Sequence, residues 1–360
     1  MKTKKMIVSL TAVSFCLSGL YADEGMTNVD MGNMRDEGYQ ELVDSKQPKG
    51  QIPAAFNHAA EIDVGGCCDI FATASFIYWN IQQEGMKIGT TYSSSNFSRA
   101  TDTLYMGDEY KAGFKVGLGG NTRFDNWVVQ AEYTWLHHAL EKHQGSFPFM
   151  STDFVLVGGA PGGAVLTNST HRWHFGIDIL DVTMGRPFYQ GTKLSINPFF
   201  GIRTQWISQE YKISGATTLS TNTTAHWKTA SWGIGPRFGF DMNFLLGEGF
   251  RLIGSASGSL VFTDYSPLSY RDPSASPAYT LNVDGHHYLR GDADGKLGFG
   301  WGSYLGTGDK YHLDFIATYD FQVLWNQNMI TWMMNNLSNV DASAGNLYLT
   351  GLTVSGRFDF

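Results

Sequence analysis

The sequence is poor in cysteine, in basic charge and in long apolar runs. Three cysteines occur in 360 residues, at 16, 67 and 68. Cys67 and Cys68 are neighbours, and no His or further Cys nearby completes a metal site with them. Acidic residues outnumber basic ones, 33 to 25, for a net charge of −8, which speaks against a nucleic-acid binder. Beyond residue 22 no stretch has the length and apolarity of a transmembrane helix. The nearest, FVLVGGAPGGAVL from Phe154 to Leu166, is short and broken by Gly and Pro. Helix-favouring runs of Ala, Glu, Lys and Leu are scarce, and no nucleotide motif or cofactor site stands out.

What is present begins at the first residue. MKTKK is followed by the apolar run MIVSLTAVSFCLSGL and then by LYA before DEG. A basic start, a short apolar centre and a small residue at the junction describe a secretory signal peptide over 1–22, cut after Ala22. The alternative, an N-terminal anchor, needs about 20 apolar residues to span a bilayer. A lipoprotein attached at Cys16 would have the large Phe15 where a small residue is usual. Export without a membrane helix leaves a secreted globular protein, a periplasmic protein or an outer-membrane barrel. Residues 23–66 are polar and without a clean period, and read as a periplasmic lead-in to a barrel over 67–360. Cys67 and Cys68, unlikely partners for each other, are either two small half-buried residues or donors of an intermolecular disulfide in an oxidising envelope.

From Asp69 the chain becomes a succession of segments with period two. Trp127, Val129, Ala131, Tyr133 and Trp135 oppose Gln130 and Glu132. Trp173, Phe175, Ile177 and Ile179 oppose His174 and Asp178, with a slip of phase near Asp181 read as a bulge. Trp232, Ile234, Pro236, Phe238, Phe240, Met242 and Phe244 oppose Gly233, Gly235, Arg237, Gly239, Asp241 and Asn243. Ten such segments are expected, at 69–83, 112–120, 127–138, 172–180, 194–208, 231–244, 250–262, 296–302, 312–325 and the C-terminal strand. Connections alternate between long (84–108, 139–170, 214–226, 264–287, 326–346) and short (121–126, 187–193, 245–249, 303–310). The expected fold is all-β: a transmembrane antiparallel up-and-down β-barrel of ten strands, with twelve as the alternative count. Long loops would lie outside and short turns in the periplasm.

A soluble sandwich also buries one face of each strand, but its core has no need of a large aromatic at nearly every strand end. Here aromatics mark those ends: Trp127 and Trp135, Phe250 and Phe262, Phe315 and Trp325. Two such girdles fit the two lipid–water interfaces. The opposite faces carry Gly, Ser and charges of both signs, and barrel closure removes the unpaired edges that lipid forbids. Phe360 at the end of an aromatic strand is expected to be read by the outer-membrane assembly machinery.

Three blocks, DNWVVQAEYTWLHH, VTMGRPFYQGTKLSINPFFGIRTQWISQEY and GIGPRFGFDMNFLLGEGFRLIGSASGSLVF, resemble the major outer membrane protein family of Legionella and the related proteins of environmental chlamydiae. The matching blocks lie within 112–262, with weaker similarity towards the C-terminus. The resemblance implies an abundant surface porin, with adhesion as a second role. It also implies disulfide links in the envelope, for which this chain keeps only Cys67 and Cys68 after the leader.

Strand parity nominates the lumen: Lys111, Lys115, Arg203, Arg237, Arg251 and Arg357 are the bases, Glu132, Asp178, Asp241, Asp314 and Asp320 the acids. In a pore, rings of charge set ion selectivity. The competing reading is a paired network that plugs a narrow barrel, since ten strands enclose a small bore. Arg290, Gly291 and Asp292 spell an RGD, a chance tripeptide or an adhesion motif. The GDADG run at 291–295 lacks the ligand spacing of a calcium loop. His137, His138, Asp153 and His171 are candidates for a rim protease, without a pairing that spacing supports. NMITWMMNN, from 328, is apolar enough to pack over the barrel mouth or touch a partner.

The expectation is a bacterial outer-membrane porin for passive diffusion of small hydrophilic solutes and ions, with no catalytic group and no cofactor. The alternative is a surface adhesin or structural envelope protein on a closed barrel. Expected partners are outer-membrane lipid, small hydrophilic solutes, further copies of the chain as a homo-oligomer and disulfide partners, but no nucleic acid.

Overall fold

The computed structural model describes residues 59–60, 62, 64, 69–93, 99–122, 126–145, 149–152, 165–217, 222–283, 285–306, 309–337 and 344–360. The signal segment, the lead-in up to residue 58, Cys67, Cys68 and Asp153 therefore fall outside the described residues. Ten long strands make the wall: β1 (Ile70–Gln83), β4 (Glu109–Asn121), β5 (Val128–Gln144), β7 (Val165–Gly185), β9 (Leu194–Thr217), β10 (Asn222–Gly247), β11 (Phe250–Asp272), β13 (His286–Leu305), β14 (Tyr311–Asn328) and β15 (Gly345–Asp359). Five short strands lie in the connections: β2 (Lys87–Tyr92), β3 (Ala100–Tyr105), β6 (Phe149–Thr152), β8 (Phe188–Gln190) and β12 (Tyr279–Val283). A helix, α1 (Met329–Leu337), joins β14 to β15.

Each long strand pairs antiparallel with the next, and β1 pairs with β15 from Phe71↔Asp359 to Gln83↔Leu347, so the sheet closes on itself. The count of ten is the one the sequence predicts. Closure leaves the ten-stranded wall without a free edge, as lipid requires. Both ends of the barrel sequence and the tight turns share one rim, the periplasmic one. The β10–β11 turn is the tightest. Gly247, Glu248 and Gly249 all have positive φ, a conformation two of the three adopt without Cβ strain.

The barrel is inside out relative to a soluble protein. Phe299 and Leu118 are each 64% exposed and Phe238 60%, whereas Arg203 is 3% and Asp314 1% exposed. Leaving such side chains in water while burying charge is the reverse of what folding in water selects. It is what a lipid-facing wall selects. On β10 the apolar face from Trp232 to Phe244 covers about 30 Å of membrane at ~3.3 Å per residue and ~40° tilt. Among the described residues no helix is long and apolar enough to cross a membrane.

The strands run well past the lipid band. β9 and β10 continue to Thr217 and Asn222, and β11 to Asp272. The expected loop at 214–226 is thus mostly sheet, and the expected loops at 139–170 and 264–287 give up their flanks to β5, β7 and β11. The wall stands above the membrane on the β5–β11 side, and there its inner surface is apolar. Trp173, Trp227, Tyr211 and Tyr270 are fully buried within it.

Candidate functional site in the barrel lumen

The side chains that point into the barrel fall into two zones. The lower zone, nearer the periplasm, is built from ion pairs. Arg203 on β9 sits at its centre. Its Nε and Nη2 donate to the two carboxylate oxygens of Asp181, each at 2.8 Å, and its Nη1 donates to Asp292 and Asp294, each at 2.9 Å. Arg237, one strand over, donates to both oxygens of Asp294 at 2.8 and 2.7 Å and to Ser257 at 2.7 Å. Ser259 donates to Asp292 at 2.5 Å, and Ser257 to Asp294. This fork-to-carboxylate geometry is the strong form of the ion pair. It is also the form that desolvated charges need, because an unpaired buried charge is prohibitively unfavourable.

A second cluster lies on the opposite wall. Lys115 approaches Asp320 at 3.5 Å and lies 4.7 Å over the ring of Trp79. Asp320 also accepts from Thr318 at 2.6 Å and Thr353 at 2.8 Å. Lys296 on β13 lies in the field of Glu132, Asp320, Asp241 and Asp294 and so links the two clusters electrostatically. Asp241 accepts from Asn197 at 3.4 Å. Nearest the periplasm Arg251 bonds Asp314, and Arg357 donates to Asp359 at 2.5 and 2.9 Å with its guanidinium 3.7 Å over the ring of Phe71. His312 is 3.2 Å from Asp359.

The upper zone is an apolar cap. Ile77, Ile81, Leu136, Ile177 and Ile207 line the wall, and Trp173, Tyr211, Trp227 and Tyr270 continue around it. Tyr211 and Trp227 have ring centroids 5.9 Å apart, Trp227 and Tyr270 4.9 Å. Helix α1 closes the centre with Met329, Ile330 and Met333, all fully buried, joined by Met86 and Ile88 of the first external loop. Asn328 caps the helix: its Oδ1 accepts from the backbone N–H of Ile330 and Thr331 at 3.1 and 3.2 Å. Its Nδ2 donates to the carbonyl of Glu84 at 2.6 Å, tying the helix to the β1–β2 turn. Gly85 in that turn has φ 78°, and a Cβ there would come within 2.2 Å of Thr331 Oγ1. The NMITWMMNN segment thus packs into the mouth.

Ten of the eleven parity candidates share the inner face. Lys115, Arg203, Arg237, Arg251, Asp314 and Asp320 carry the pairs described, with Asp241, Glu132 and Arg357 beside them; Lys111, higher up, pairs with Glu109 at 2.8 Å. Asp178 is the correction. It lies on the outer wall, bonded to Tyr133 at 2.5 Å and His137 at 2.7 Å. The same strand's Trp173, Phe175, Ile177 and Ile179 point inwards. No bulge intervenes near Asp181, since β7 pairs without a register shift from Ser169 to Gly185 on both sides. Parity is continuous; the surroundings change. Above the lipid surface water lies outside the wall and the cap inside it, so the apolar face of a single regular strand switches sides.

Asp181, Asp292, Asp294, Lys296, His312 and Asp359 belong to the lumen and were not nominated. The signal for three of them was the period of two in Arg290, Asp292, Asp294 and Lys296, all on the inner face of β13. That placement also disposes of the RGD as a surface motif. Asp292 is 3% exposed, and Arg290 stacks 4.3 Å over Tyr288 inside the mouth. His171 is buried between Tyr211 and Ser169 and His137 faces outwards, so the rim histidines form no common site.

Comparison with known proteins gives one family and several remote structures. Residues 70–360 match the family model described as the Legionella pneumophila major outer membrane protein precursor. No curated protein matches. Among solved structures the chain is similar to the outer membrane protease OmpT of Escherichia coli, at 10% identity and TM-score 0.43, over 84% of this chain and 99% of that one. It is also similar to the toluene transporter TodX of Pseudomonas putida, at 7% identity and TM-score 0.29, over 82% and 90%. The translocator domain of the autotransporter NalP of Neisseria meningitidis gives 10% identity and TM-score 0.32 over the same shares. With the family match spanning the whole barrel, the chain belongs to the Legionella major outer membrane protein family and is a ten-stranded barrel of the outer membrane.

Proposed function

We propose that the barrel is a gated porin, a conduit for small hydrophilic solutes and ions that the apolar cap holds shut at the external mouth. The observation that carries this reading is the contrast between the two zones. A barrel meant only as a wall has no need of a lumen lined by Arg203, Arg237, Lys115, Lys296, Glu132, Asp241 and Asp320, whereas a conduit does. The plug is a separate helix and loop resting in the mouth, so it is displaceable without unzipping a wall strand. Arg251 and Arg357, with Asp314, would form the periplasmic entry, and outer-membrane lipid would surround the wall. No catalytic group or cofactor enters the scheme.

A second reading rests on the same cap. With Met329, Ile330 and Met333 fully buried, the barrel is also a closed scaffold suited to presenting external loops as an adhesin or envelope component. Swelling of proteoliposomes in small sugars, with and without residues 329–337, separates the two. The gated porin predicts little swelling for the full chain and rapid swelling once the helix is removed, and reversal potentials of the chain lacking the helix should shift towards cations when Arg237→Ala and Arg251→Ala are added. Impermeable liposomes in every case would leave the scaffold.

A further inference from the structure

The helix in the mouth is held by more than apolar contact. Two stems carry it: residues 326–331 lead into α1 and residues 345–348 lead back into the wall. One turn, Glu84 and Gly85 between β1 and β2, bonds both stems. The first is held by the Glu84 backbone, whose carbonyl accepts from Asn328 Nδ2 at 2.6 Å. The second is held by backbone and side chain together. The Glu84 N–H donates to the Asn346 carbonyl at 2.9 Å. The Glu84 carboxylate accepts from the Asn346 backbone N–H at 3.0 Å, from Asn346 Nδ2 at 3.3 Å and from the Tyr348 hydroxyl at 2.5 Å. Asn346 also joins the two stems, since its Oδ1 accepts from the Asn326 N–H at 2.9 Å.

Glycines let the turn lie flush against both stems. A Cβ on Gly85 would run into Thr331 of the first stem, and a Cβ on Gly345 of the second would lie 2.6 Å from the Glu84 carbonyl oxygen. The first stem also interrupts the sheet. β14 and β15 pair continuously as far as Leu324↔Leu347 and then only at Asn328↔Gly345. Asn326 lies in that interruption at φ 55°, a left-handed conformation that Asn tolerates better than most residues. The chain can pivot there without breaking ladder hydrogen bonds.

The two grips on α1 differ in kind. Met329, Ile330 and Met333 are buried and pack by area. Such contact is non-directional and tolerates sliding. The bonds of Glu84 are directional and fix where the helix rests. Glu84 is exposed at the external rim, within reach of water. The Tyr348 hydroxyl, followed by the Asn346 backbone N–H, lowers its carboxyl below the ordinary 4.5. It is therefore ionised near neutral pH, and its bonds are charge-assisted.

We infer that the Glu84 carboxylate is the positioning residue of the gate: it clasps the outgoing stem through Asn346 and Tyr348, and its release frees α1 to pivot about Asn326 and leave the mouth. The consequence for conduction rests on the gated-porin reading; the clasp itself does not.

The test measures amide exchange of α1 in lipid nanodiscs and open probability in planar bilayers, side by side, on the refolded full chain. The variants are Glu84→Ala, Glu84→Gln and Tyr348→Phe. Asp108→Asn is the comparison, an acid whose side chain bonds Asn80 and Gln82 of β1 at 2.9 Å each. Both readouts should rise at least about fivefold in Glu84→Ala, the effect of losing about one net hydrogen bond. The rise should be smaller in Glu84→Gln, which keeps the shape but turns an amide donor towards a donor of Asn346. Adding Tyr348→Phe to Glu84→Ala should add little, because both remove the same bond. Asp108→Asn should match the unaltered chain, and the lower parts of β9 and β10 should stay protected throughout. Heat-modifiable gel mobility checks that each variant has refolded. Unchanged α1 exchange in folded Glu84→Ala, or an equal rise in Asp108→Asn, would overturn the inference. Faster α1 exchange with no conductance would uphold the clasp and overturn the gated porin instead.

Discussion

The lower lumen and the external cap are both buried, and they are held by opposite means. Around Arg203 the stabilisation is a set of forked hydrogen bonds between charges, each of which would be untenable alone. Around Trp227 it is contact between rings, methyls and thioethers, none of which depends on a single partner. The first zone is stiff and all-or-none; the second degrades gradually as contacts are removed. That difference assigns them different work. In the proposed gated porin, the charge network would fix the dimensions and polarity of the bore, while the apolar plug at the mouth, held mainly by contact area, would be the part that leaves.

The contrast breaks most severely at Arg203. Arg203→Ala strands Asp181, Asp292 and Asp294 without their shared cation, and a loss of about 3–5 kcal/mol is expected from breaking a buried network on one side. Equilibrium unfolding in lipid vesicles reads it. A loss below 1 kcal/mol would mean that water already reaches these carboxylates. Met333→Ala in the cap should cost about 2–3 kcal/mol, the lower part of the range for a buried methionine. Its signature should be local, with amide exchange accelerating in α1 and β2 while the lower parts of β9 and β10 stay protected.

A pH dependence is expected from the cap. His171 stands on the protruding part of β7, above the membrane, and burial lowers its pKa from 6.5 to about 4. The folded cap therefore holds His171 neutral, and the unfolded chain binds the extra proton. Stability from this residue is complete above pH 6.5 and declines as the pH falls towards 4, by roughly 1.4 kcal/mol per pH unit at most. His171→Gln should flatten that slope when cap opening is followed by amide exchange between pH 7 and 4.5. An unchanged slope would place the titration elsewhere. The smallest effect belongs to the outer wall, where Arg172 and Glu141 are both about half exposed. Arg172→Ala should change stability by less than about 1 kcal/mol, against the several expected for Arg203.

Much of this was legible in the sequence because lipid leaves a clean imprint. Wherever lipid faces the strand, as from Trp232 to Phe244, alternation gives face, parity and inward charge together, and ten of eleven nominated residues share the lumen side. Reading fails where the solvent outside changes from lipid to water. On β7 the apolar residues above the girdle, Trp173 to Ile179, face inwards although the backbone pairs regularly, and parity then placed Asp178 on the wrong side. The extent of the protruding sheet was hidden for the same reason, since the residues of β9 beyond Ser208 alternate around a cap and not around a bilayer. Asp292, Asp294 and Lys296 were overlooked although their spacing is regular, because their small neighbours Gly291, Ala293 and Gly295 give the outer face little apolar weight.

The most direct test of the account is single-channel conductance of the refolded full chain in a planar bilayer, compared with a chain in which residues 329–337 are replaced by Gly and Ser. The account predicts a silent or rarely opening full chain and steady conductance steps from the replaced one. Steady steps of equal size from both would show that the cap does not close the barrel, and silence from both would show that the charge network around Arg203 closes it unaided.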